Sequence, residues 1–369
     1  MEHEKLYQVA LSFVPGIGDI NTKQLVSYCG SAEAIFKSNK NKLKSIPGIG
    51  AKTIQAINNY NTLEQAEKII ERCEKEEVKI LFYTDKNYPF RLKQIMDSPP
   101  LLYVKGNADL NQQKIVAIVG TRQATDYGKE FTERLVEGLK PHNALIVSGL
   151  AYGIDIQAHK TALKYELPTL GIMGSGLNII YPAPHKNTVT QMLLSNSSIM
   201  SEYPLDTKPD AHNFPSRNRI IAGIADALVV VEAARRGGAL ITAEIANSYS
   251  KDVFALPGNI HSHYSVGCNN LIKSHKANLI TSVKDLEYIM NWEPTGELPD
   301  DKPPLQQDAF APEEWQLLKV LLDEKNEMLI DDLSWRSQLP INQVAAILLN
   351  LEFQGIIKSL PVKKYRLIR

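Results

Sequence analysis

Four short segments of the sequence place glycine at the end of an apolar run, next to hydroxyl or basic side chains. They are Gly120-Thr121-Arg122, Ser148-Gly149, Gly174-Ser175-Gly176, and Gly237-Gly238 with Thr242 in the following turn. Glycine lets backbone N–H groups approach an anion closely, and an arginine guanidinium forms paired hydrogen bonds with phosphate oxygens. These residue types therefore favour the binding of phosphate groups.

Further cations follow in the same part of the chain. Lys186 stands at the predicted start of one helix, and Arg217-Asn218-Arg219 lies in the first turn of another, which Ser216 can cap. The glycine segments are predicted to follow parallel strands, whose carboxyl ends share one rim of a sheet. We therefore expect the glycine loops, Arg122 and these cations to converge in one phosphate-binding basin.

The elements that must position these residues are strands and helices in regular alternation. Residues 115–119, Ile-Val-Ala-Ile-Val, read as a strand buried on both faces, which is typical of a parallel sheet. Similar strands are predicted near residues 145–148, 169–173, 198–202, 227–232, 252–256 and 278–281. The alternation predicts an α/β fold with a Rossmann-like, doubly wound, mostly parallel sheet, which two strands near 78–83 and 101–105 extend. The chain lacks the G-x-G-x-x-G fingerprint in this sheet, so we expect no dinucleotide cofactor.

Both ends of the chain predict additional modules. Val14-Pro-Gly-Ile-Gly18 is repeated as Ile46-Pro-Gly-Ile-Gly50 between segments of helical spacing, which predicts two helix-hairpin-helix units in a domain of residues 1–62. The sheet domain is predicted to span 63–293. Whether the amino-terminal hairpins contact DNA or form a small helical adaptor stays open.

A Pro-rich, acidic stretch without periodicity, residues 294–311, predicts a linker. Beyond it, three helical segments and two short strands predict a winged-helix-like domain over 312–369. Every charged residue after Glu352 is basic, which fits either a wing that contacts phosphate or a solvated chain end.

The composition excludes several classes of protein. A net charge of zero argues against an indiscriminately basic nucleic-acid binder, although a neutral total can conceal a local basic pocket. Cys29, Cys73 and Cys268 lie far apart, which argues against a disulfide framework and a zinc site. No apolar run reaches the roughly 18 residues of a membrane span. With no signal-peptide pattern at the amino end, we expect a cytoplasmic protein without membrane contact.

The glycine and arginine segments also resemble a known family, DNA-processing protein A (DprA/Smf), over residues 79 to 290. The segments that carry this resemblance are Gly120-Thr-Arg122, Ser148-Gly-Leu-Ala-Tyr-Gly-Ile-Asp155, Ala158-His-Lys-Thr-Ala-Leu163, Gly174-Ser-Gly176 with Tyr181-Pro182, Ser201-Glu-Tyr-Pro204, Phe214-Pro-Ser-Arg-Asn-Arg-Ile-Ile-Ala-Gly223, Gly238-Ala-Leu-Ile-Thr242 and Leu256-Pro-Gly258. The resemblance implies a protein that is not an enzyme. It implies binding of single-stranded DNA by the Rossmann-like domain, a homodimer, and loading of a RecA-type recombinase on incoming DNA in natural transformation.

The resemblance also implies which residues contact DNA. The full candidate set for DNA or phosphate binding is Gly120, Thr121, Arg122, Ser148, Gly149, Gly174, Ser175, Gly176, Lys186, Arg217, Asn218, Arg219, Gly237, Gly238 and Thr242. The sequence departs from the family pattern at Asn178, where Asp is frequent, and at Ala183, where some members have Lys. The cationic role of that position is therefore assigned to Lys186.

An enzyme is the competing interpretation. An arginine-bearing helix followed by Gly-Gly and a Thr-x-Glu segment loosely resembles LOG-type phosphoribohydrolases of nucleoside monophosphates, with Glu244 as the catalytic carboxylate, although the Gly-Gly to Thr spacing is one residue too long. The remaining ionisable groups favour structural roles. His159 lies among small helical residues and is expected to be packed, and His261 and His263 lack the neighbours of a metal site.

Overall fold

Six helices precede the first strand in the computed structural model, which describes residues 2–59, 61–293, 310–323, 327–360 and 363–367. They are α1 (Glu2–Ser12), α2 (Asp19–Cys29), α3 (Ala32–Lys37), α4 (Lys40–Lys44), α5 (Ala51–Asn59) and α6 (Thr62–Lys75). The two predicted hairpins join α1 to α2 and α4 to α5. Their turns share one conformation, with φ of +80° at Gly16 and +75° at Gly48. Only glycine adopts this left-handed region readily, which explains the repeated Pro-Gly.

Nine strands of the described chain form the central sheet. They are β1 (Lys79–Phe82), β2 (Leu101–Gly106), β3 (Ile115–Val119), β4 (Leu145–Ser148), β5 (Thr169–Met173), β6 (Ser198–Ser201), β7 (Ala227–Val230), β8 (Asp252–Ala255) and β9 (Asn278–Leu279). Their order is β1-β2-β6-β5-β4-β3-β7-β8-β9. In this spatial order, all neighbouring strands from β6 through β3 to β9 are parallel. Strand β2 is antiparallel to both of its neighbours, β1 and β6. The predicted α/β fold with a mostly parallel sheet is confirmed.

Helices cover both faces of this sheet. They are α7 (Phe90–Lys93), α8 (Asp126–Gly138), α9 (Ile154–Lys164), α10 (Lys186–Leu193), α11 (Asn213–Ile224), α12 (Gly238–Ser248), α13 (Val266–Lys273) and α14 (Val283–Met290). Alternate residues of β3 point to opposite sides, so that Ile115 and Ala117 share a core with α11 and α12, and Val116 and Ile118 share another with α8 and α9. Burial on both faces explains why this strand is apolar throughout.

The strand order creates a topological switch point between β3 and β7. From β3 the chain proceeds through β4, β5 and β6 in one direction, and it then returns through α11 to β7 on the other side of β3. Connections leave these two strands in opposite directions, which opens a crevice at their carboxyl ends. Ligands of open α/β sheets bind at this place.

The carboxyl-terminal elements match a winged helix. They are α15 (Pro312–Asp323), β10 (Glu327–Leu329), α16 (Ile330–Ser337), α17 (Ile341–Phe353), β11 (Ile357–Leu360) and β12 (Lys364–Leu367), with strand order β10-β12-β11. The three predicted helices and the hairpin are present. Strand β10 was not predicted, because three residues directly before a helix carry too little periodicity to reveal a strand.

The chain divides into two compact units, Met1–Gly296 and Glu297–Arg369. The helices of residues 1–62 belong to the same unit as the sheet, and most of the predicted linker, 294–309, lies outside the described residues. No helix in the described ranges is long and apolar enough to cross a membrane.

Candidate nucleic-acid interface

Arg122 lies at the carboxyl end of β3, directly beside the switch point. The Thr121 N–H donates to the carbonyl oxygen of Glu232, which follows β7, at 2.7 Å. Gly153, with φ of +78°, packs so closely under this loop that a Cβ there would overlap the Thr121 carbonyl oxygen, and a Cβ on Gly120 would lie 2.5 Å from Ile154. These two glycines therefore allow the loops after β3 and β4 to pack together, which fixes the backbone from which Arg122 projects.

Three exposed arginines surround the crevice. Arg122 follows β3, and Arg235 and Arg236 lie in the loop between β7 and α12. None of the three has an ion pair or a side-chain hydrogen bond to another described residue. Gly237 and Gly238 of the second loop were predicted site residues, but its two arginines were not. Two consecutive arginines directly before Gly-Gly were the signal that could have identified them.

The start of α12 offers exposed backbone at the same crevice. Gly237 and Gly238 are both exposed, a Cβ on Gly237 would meet nothing within 4 Å, and one on Gly238 would lie 3.9 Å from the Asn218 amide nitrogen. The first N–H groups of a helix have no intrahelical acceptor and lie at the positive end of its dipole. An anion can therefore reach this backbone without displacing a side chain.

Arg217 lies beneath the rim and is only 5% exposed. Its guanidinium donates to the carbonyl oxygens of Gly149, at 2.6 Å, and Ile172. A Cβ on Gly149 would lie 2.6 Å from the same guanidinium, so this glycine makes room for the arginine. Burial lowers the pKa of Arg217 to about 10, although the nearby Asp155 opposes this effect. Arg217 thus holds the loop after β4 and the carboxyl end of β5 together from below.

Asn218 and Thr242 connect α11 with the start of α12. The Asn218 amide oxygen accepts from Arg217 Nε at 3.3 Å, and its nitrogen donates to Gly238 O at 3.5 Å. Thr242 Oγ1 donates to the same carbonyl at 3.0 Å, and its residue is 1% exposed. Both side chains therefore hold the Gly238 backbone in place.

The remaining hydroxyl and glycine candidates shape the rim. Ser148 Oγ donates to Ile118 O at 2.6 Å, and Ser175 Oγ donates to Ile179 O at 2.8 Å, and both serines are buried. A Cβ on Gly174 would lie 3.0 Å from Phe214, and one on Gly176 would lie 2.6 Å from Pro204 O. Close packing between neighbouring loops explains both glycines.

Arg219 faces the amino-terminal helices. Its guanidinium contacts Asp19, in the first turn of α2, at 3.0 Å, and it also contacts Glu202, which follows β6. Burial raises the pKa of Glu202 to about 7, and Arg219 opposes this shift. The structure therefore ties Arg219 to α2 and does not bring it to the crevice beside Arg122.

Lys186 is exposed at the start of α10. It lines a cavity of about 160 Å³ together with Lys105 of β2, Leu177 and Val189. This cavity lies beside the β2 and β6 side of the sheet, several strands away from the switch point. Lys186 is therefore a rim cation separate from the three arginines.

Aromatic side chains stand along the same rim. Tyr152, after β4, is 47% exposed, and Tyr181, after β5, is 51% exposed. The Tyr181 ring packs against Phe214 of α11, with ring centroids 5.7 Å apart. Exposed aromatic rings are surfaces on which nucleic-acid bases stack. Both tyrosines belong to the sequence motifs described above, but no stacking role was predicted for either.

Glu244, the candidate carboxylate of the enzyme interpretation, and His159 both lie away from the crevice. Glu244 forms an exposed ion pair with Lys276 at 2.7 Å, and Lys276 precedes β9, at the opposite rim of the sheet. His159 is buried, its Nδ1 lies 2.7 Å from Thr169 Oγ1, and burial lowers its pKa to about 3. His159 is packed, as predicted.

Comparison with known proteins identifies relatives of both units. The family model described as DNA recombination-mediator protein A matches residues 79–291, and the DprA winged helix domain matches 299–361. Protein Smf of Synechocystis is 32% identical over 98% of this chain and 98% of its own length. DNA processing protein DprA of Streptococcus pneumoniae is 41% identical over 55% of this chain and 71% of its own length.

Solved structures agree with this assignment. The X-ray structure of DNA processing protein A from Streptococcus pneumoniae covers 79% of this chain and 99% of its own, with a TM-score of 0.64 and 31% identity. A second structure is that of DNA processing protein A from Helicobacter pylori, described as giving insights into its unique single-stranded DNA binding mode. It covers 58% of this chain and 96% of its own, with a TM-score of 0.52 and 30% identity. The resemblance found in the sequence is confirmed, and the chain belongs to the DNA recombination-mediator protein A family, DprA/Smf.

Proposed function

We propose that the chain binds single-stranded DNA through its phosphates at the carboxyl rim of the sheet. The observation that carries this proposal is the set of exposed, unpaired cations at the switch point, Arg122, Arg235 and Arg236, beside the open backbone of Gly237 and Gly238. Guanidinium groups and helix-start N–H groups both bind phosphate oxygens. The buried candidates, Arg217 among them, support this surface from below.

The rim also favours a single strand over a duplex. Tyr152, Tyr181 and Phe214 supply rings on which unpaired bases stack, whereas the bases of a duplex are already stacked inside it. Phosphate contacts and stacking do not depend on base identity, so binding has little sequence preference.

The relatives support a role in DNA processing. The Helicobacter pylori relative is described by its single-stranded DNA binding mode, and the Streptococcus pneumoniae relative is named a DNA processing protein. We extend both properties to this chain, in natural transformation and DNA recombination. Formation of a homodimer and loading of a RecA-type recombinase belong to the same proposal and rest on family membership.

The proposed activity is binding without catalysis. The carboxylate of the hydrolase interpretation, Glu244, is paired with Lys276 on the outer side of α12. A general acid or base must lie within hydrogen-bond reach of the reacting group. No feature of the crevice gives Glu244 that position, so the phosphoribohydrolase interpretation receives no support.

A salt series with short oligonucleotides tests the proposal. Neutralisation of about three to five phosphates of a single strand predicts a slope of roughly −2 to −3.5 in a plot of log K against log salt. We expect tighter binding to a single strand than to a blunt duplex of the same length. An affinity that does not change with salt, or tighter binding to the duplex, would contradict the proposal.

A further inference from the structure

The chain has a second concentration of positive charge in its amino-terminal helices. Between Glu33 and Glu64 the sequence contains no acidic residue and five lysines, in a protein whose total charge is zero. Lys37 pairs with Glu33, whereas the other four have no ion pair or side-chain hydrogen bond with any described residue. These four, Lys40, Lys42, Lys44 and Lys52, are all exposed and are called here the hairpin lysines.

The hairpin lysines flank the second of the two repeated turns. Lys40, Lys42 and Lys44 belong to α4, and Lys52 lies in the first turn of α5. A Cβ on Gly50 would meet nothing within 4 Å, so the backbone at the start of α5 is open to solvent. Exposed lysines therefore stand on both helices that the second turn joins, close in sequence to this open backbone.

The first hairpin has the same turn, but its charged side chains contact other parts of the protein. Its backbone is equivalent, because Ile17 N–H donates to Val14 O at 3.3 Å and Ile49 N–H donates to Ile46 O at 3.2 Å. The first turn of α2, however, carries Asp19, which binds Arg219 of the sheet domain. One turn later, Lys23 donates to Met96 O at 3.0 Å and to Ser98 Oγ.

The described residues of the second hairpin make no counterpart of these internal contacts. The first turn of α5 contains no acidic residue, and it carries Lys52 where the first hairpin has Ile20. The charged side chains of the first hairpin are therefore bound within the protein. The second hairpin has the same turn, but its lysines are not paired with acidic side chains.

We infer that the second hairpin binds the sugar-phosphate backbone of double-stranded DNA. Clustered lysines beside open backbone suit a polyanion, and they contact it without regard to sequence. The exposed described side chains of residues 38–57 are lysine, asparagine, serine, proline, alanine and glutamine, with no aromatic ring among them. A surface without stacking rings offers a single strand no advantage, whereas a duplex presents two regular rows of phosphates to it.

This inference goes beyond the binding of a single strand at the rim, and it does not depend on it. The two surfaces together would let one molecule hold a single strand and an adjoining duplex. Such a protein would prefer DNA with a junction between the two forms over either form alone.

The test is fluorescence anisotropy of the full chain with a blunt duplex and with a single strand of the same length. The triple variant Lys42→Ala/Lys44→Ala/Lys52→Ala should bind the duplex about tenfold more weakly, with a salt slope smaller by about 2 to 3, because about three phosphate contacts are lost. Its affinity for the single strand should change less than twofold.

Two matched variants keep this test decisive. Replacement of the same three lysines by arginine retains their charge and should retain duplex binding. The control triple Lys75→Ala/Lys140→Ala/Lys273→Ala removes exposed lysines that precede the amino ends of strands, at the opposite rim, and should leave duplex binding unchanged.

Each contrary outcome would overturn the inference. It fails if the alanine triple binds the duplex as tightly as the unchanged chain, if the control triple weakens duplex binding equally, or if single-strand binding falls by the same factor. Far-UV circular dichroism should show unchanged helix content in all three variants, since every substituted side chain is exposed. The Arg122→Ala variant separates this inference from the proposed function, since it should weaken single-strand binding and spare the duplex.

Discussion

The switch-point crevice and helix α11 both carry arginines, and the two regions use them in opposite ways. Arg122, Arg235 and Arg236 are exposed and unpaired, whereas Arg217 and Arg219 are largely buried and occupied by protein acceptors. Burying a guanidinium is costly unless carbonyl or carboxylate oxygens replace the lost water. An arginine that already contacts acceptors within the protein serves the structure, and one that still faces water is available to a ligand.

The largest effect that distinguishes the two regions should come from Arg217→Ala. The change removes the hydrogen bonds to Gly149 and Ile172 and leaves the buried Asp155 without its cation. Removal of this buried cation and its hydrogen bonds should cost about 3–5 kcal/mol of unfolding free energy, because two carbonyl oxygens and a nearby carboxylate then lose their compensation. Urea denaturation followed by circular dichroism measures the loss. Unchanged stability combined with lost DNA binding would instead place Arg217 in direct contact with DNA.

Arg122→Ala should show the reverse behaviour. We expect a loss of about 1.5–3 kcal/mol of single-strand binding, which is the scale of a charge-assisted hydrogen bond. The free energy of unfolding should change by less than about 0.5 kcal/mol, because the side chain is exposed and unpaired. Oligonucleotide titration and urea denaturation of the same preparation provide both numbers. If affinity and stability are both unchanged, Arg122 lies outside the DNA site.

The burial of Glu202 beside Arg219 gives the stability of the protein a pH dependence. Burial raises the pKa of Glu202 to about 7, above its ordinary value near 4.5, so the folded protein holds this proton more tightly than the unfolded chain. The stabilisation is therefore complete below about pH 4.5 and is lost as the pH rises through about 7, by at most about 1.4 kcal/mol per pH unit.

The variant Glu202→Gln isolates this effect. The difference in unfolding free energy between it and the unchanged chain should vary with pH between about 4.5 and 7 and be constant above that range. Urea denaturation at closely spaced pH values measures this difference. A constant difference across the window would show that Glu202 titrates normally. Glu137→Gln, at an exposed carboxylate of α8 outside this cluster, is the control.

The sequence predicted much of this architecture because its signals are local. Apolar runs such as that of β3 mark buried strands, and Gly120 at the strand end, two residues before Arg122, predicts that Arg122 lies at the rim. The burial of Arg217 and Arg219 could not be predicted, because it depends on carbonyls and carboxylates from distant segments. Gly149 and Asp19 come together with these arginines only after the sheet and the amino-terminal helices have packed.

Glu244→Gln should have the smallest effect on stability and single-strand affinity. The same variant also distinguishes a DNA-binding protein from a hydrolase. Glu244 and Lys276 form an exposed pair, and such pairs contribute less than about 1 kcal/mol to stability. Loss of the pair should leave single-strand affinity within about twofold, since neither partner belongs to the crevice. The unchanged chain should release no free base from nucleoside monophosphates, because no carboxylate of α12 is positioned at the phosphate-binding rim. Base release in excess of the protein concentration, abolished by Glu244→Gln, would establish the hydrolase in place of the DNA-binding protein.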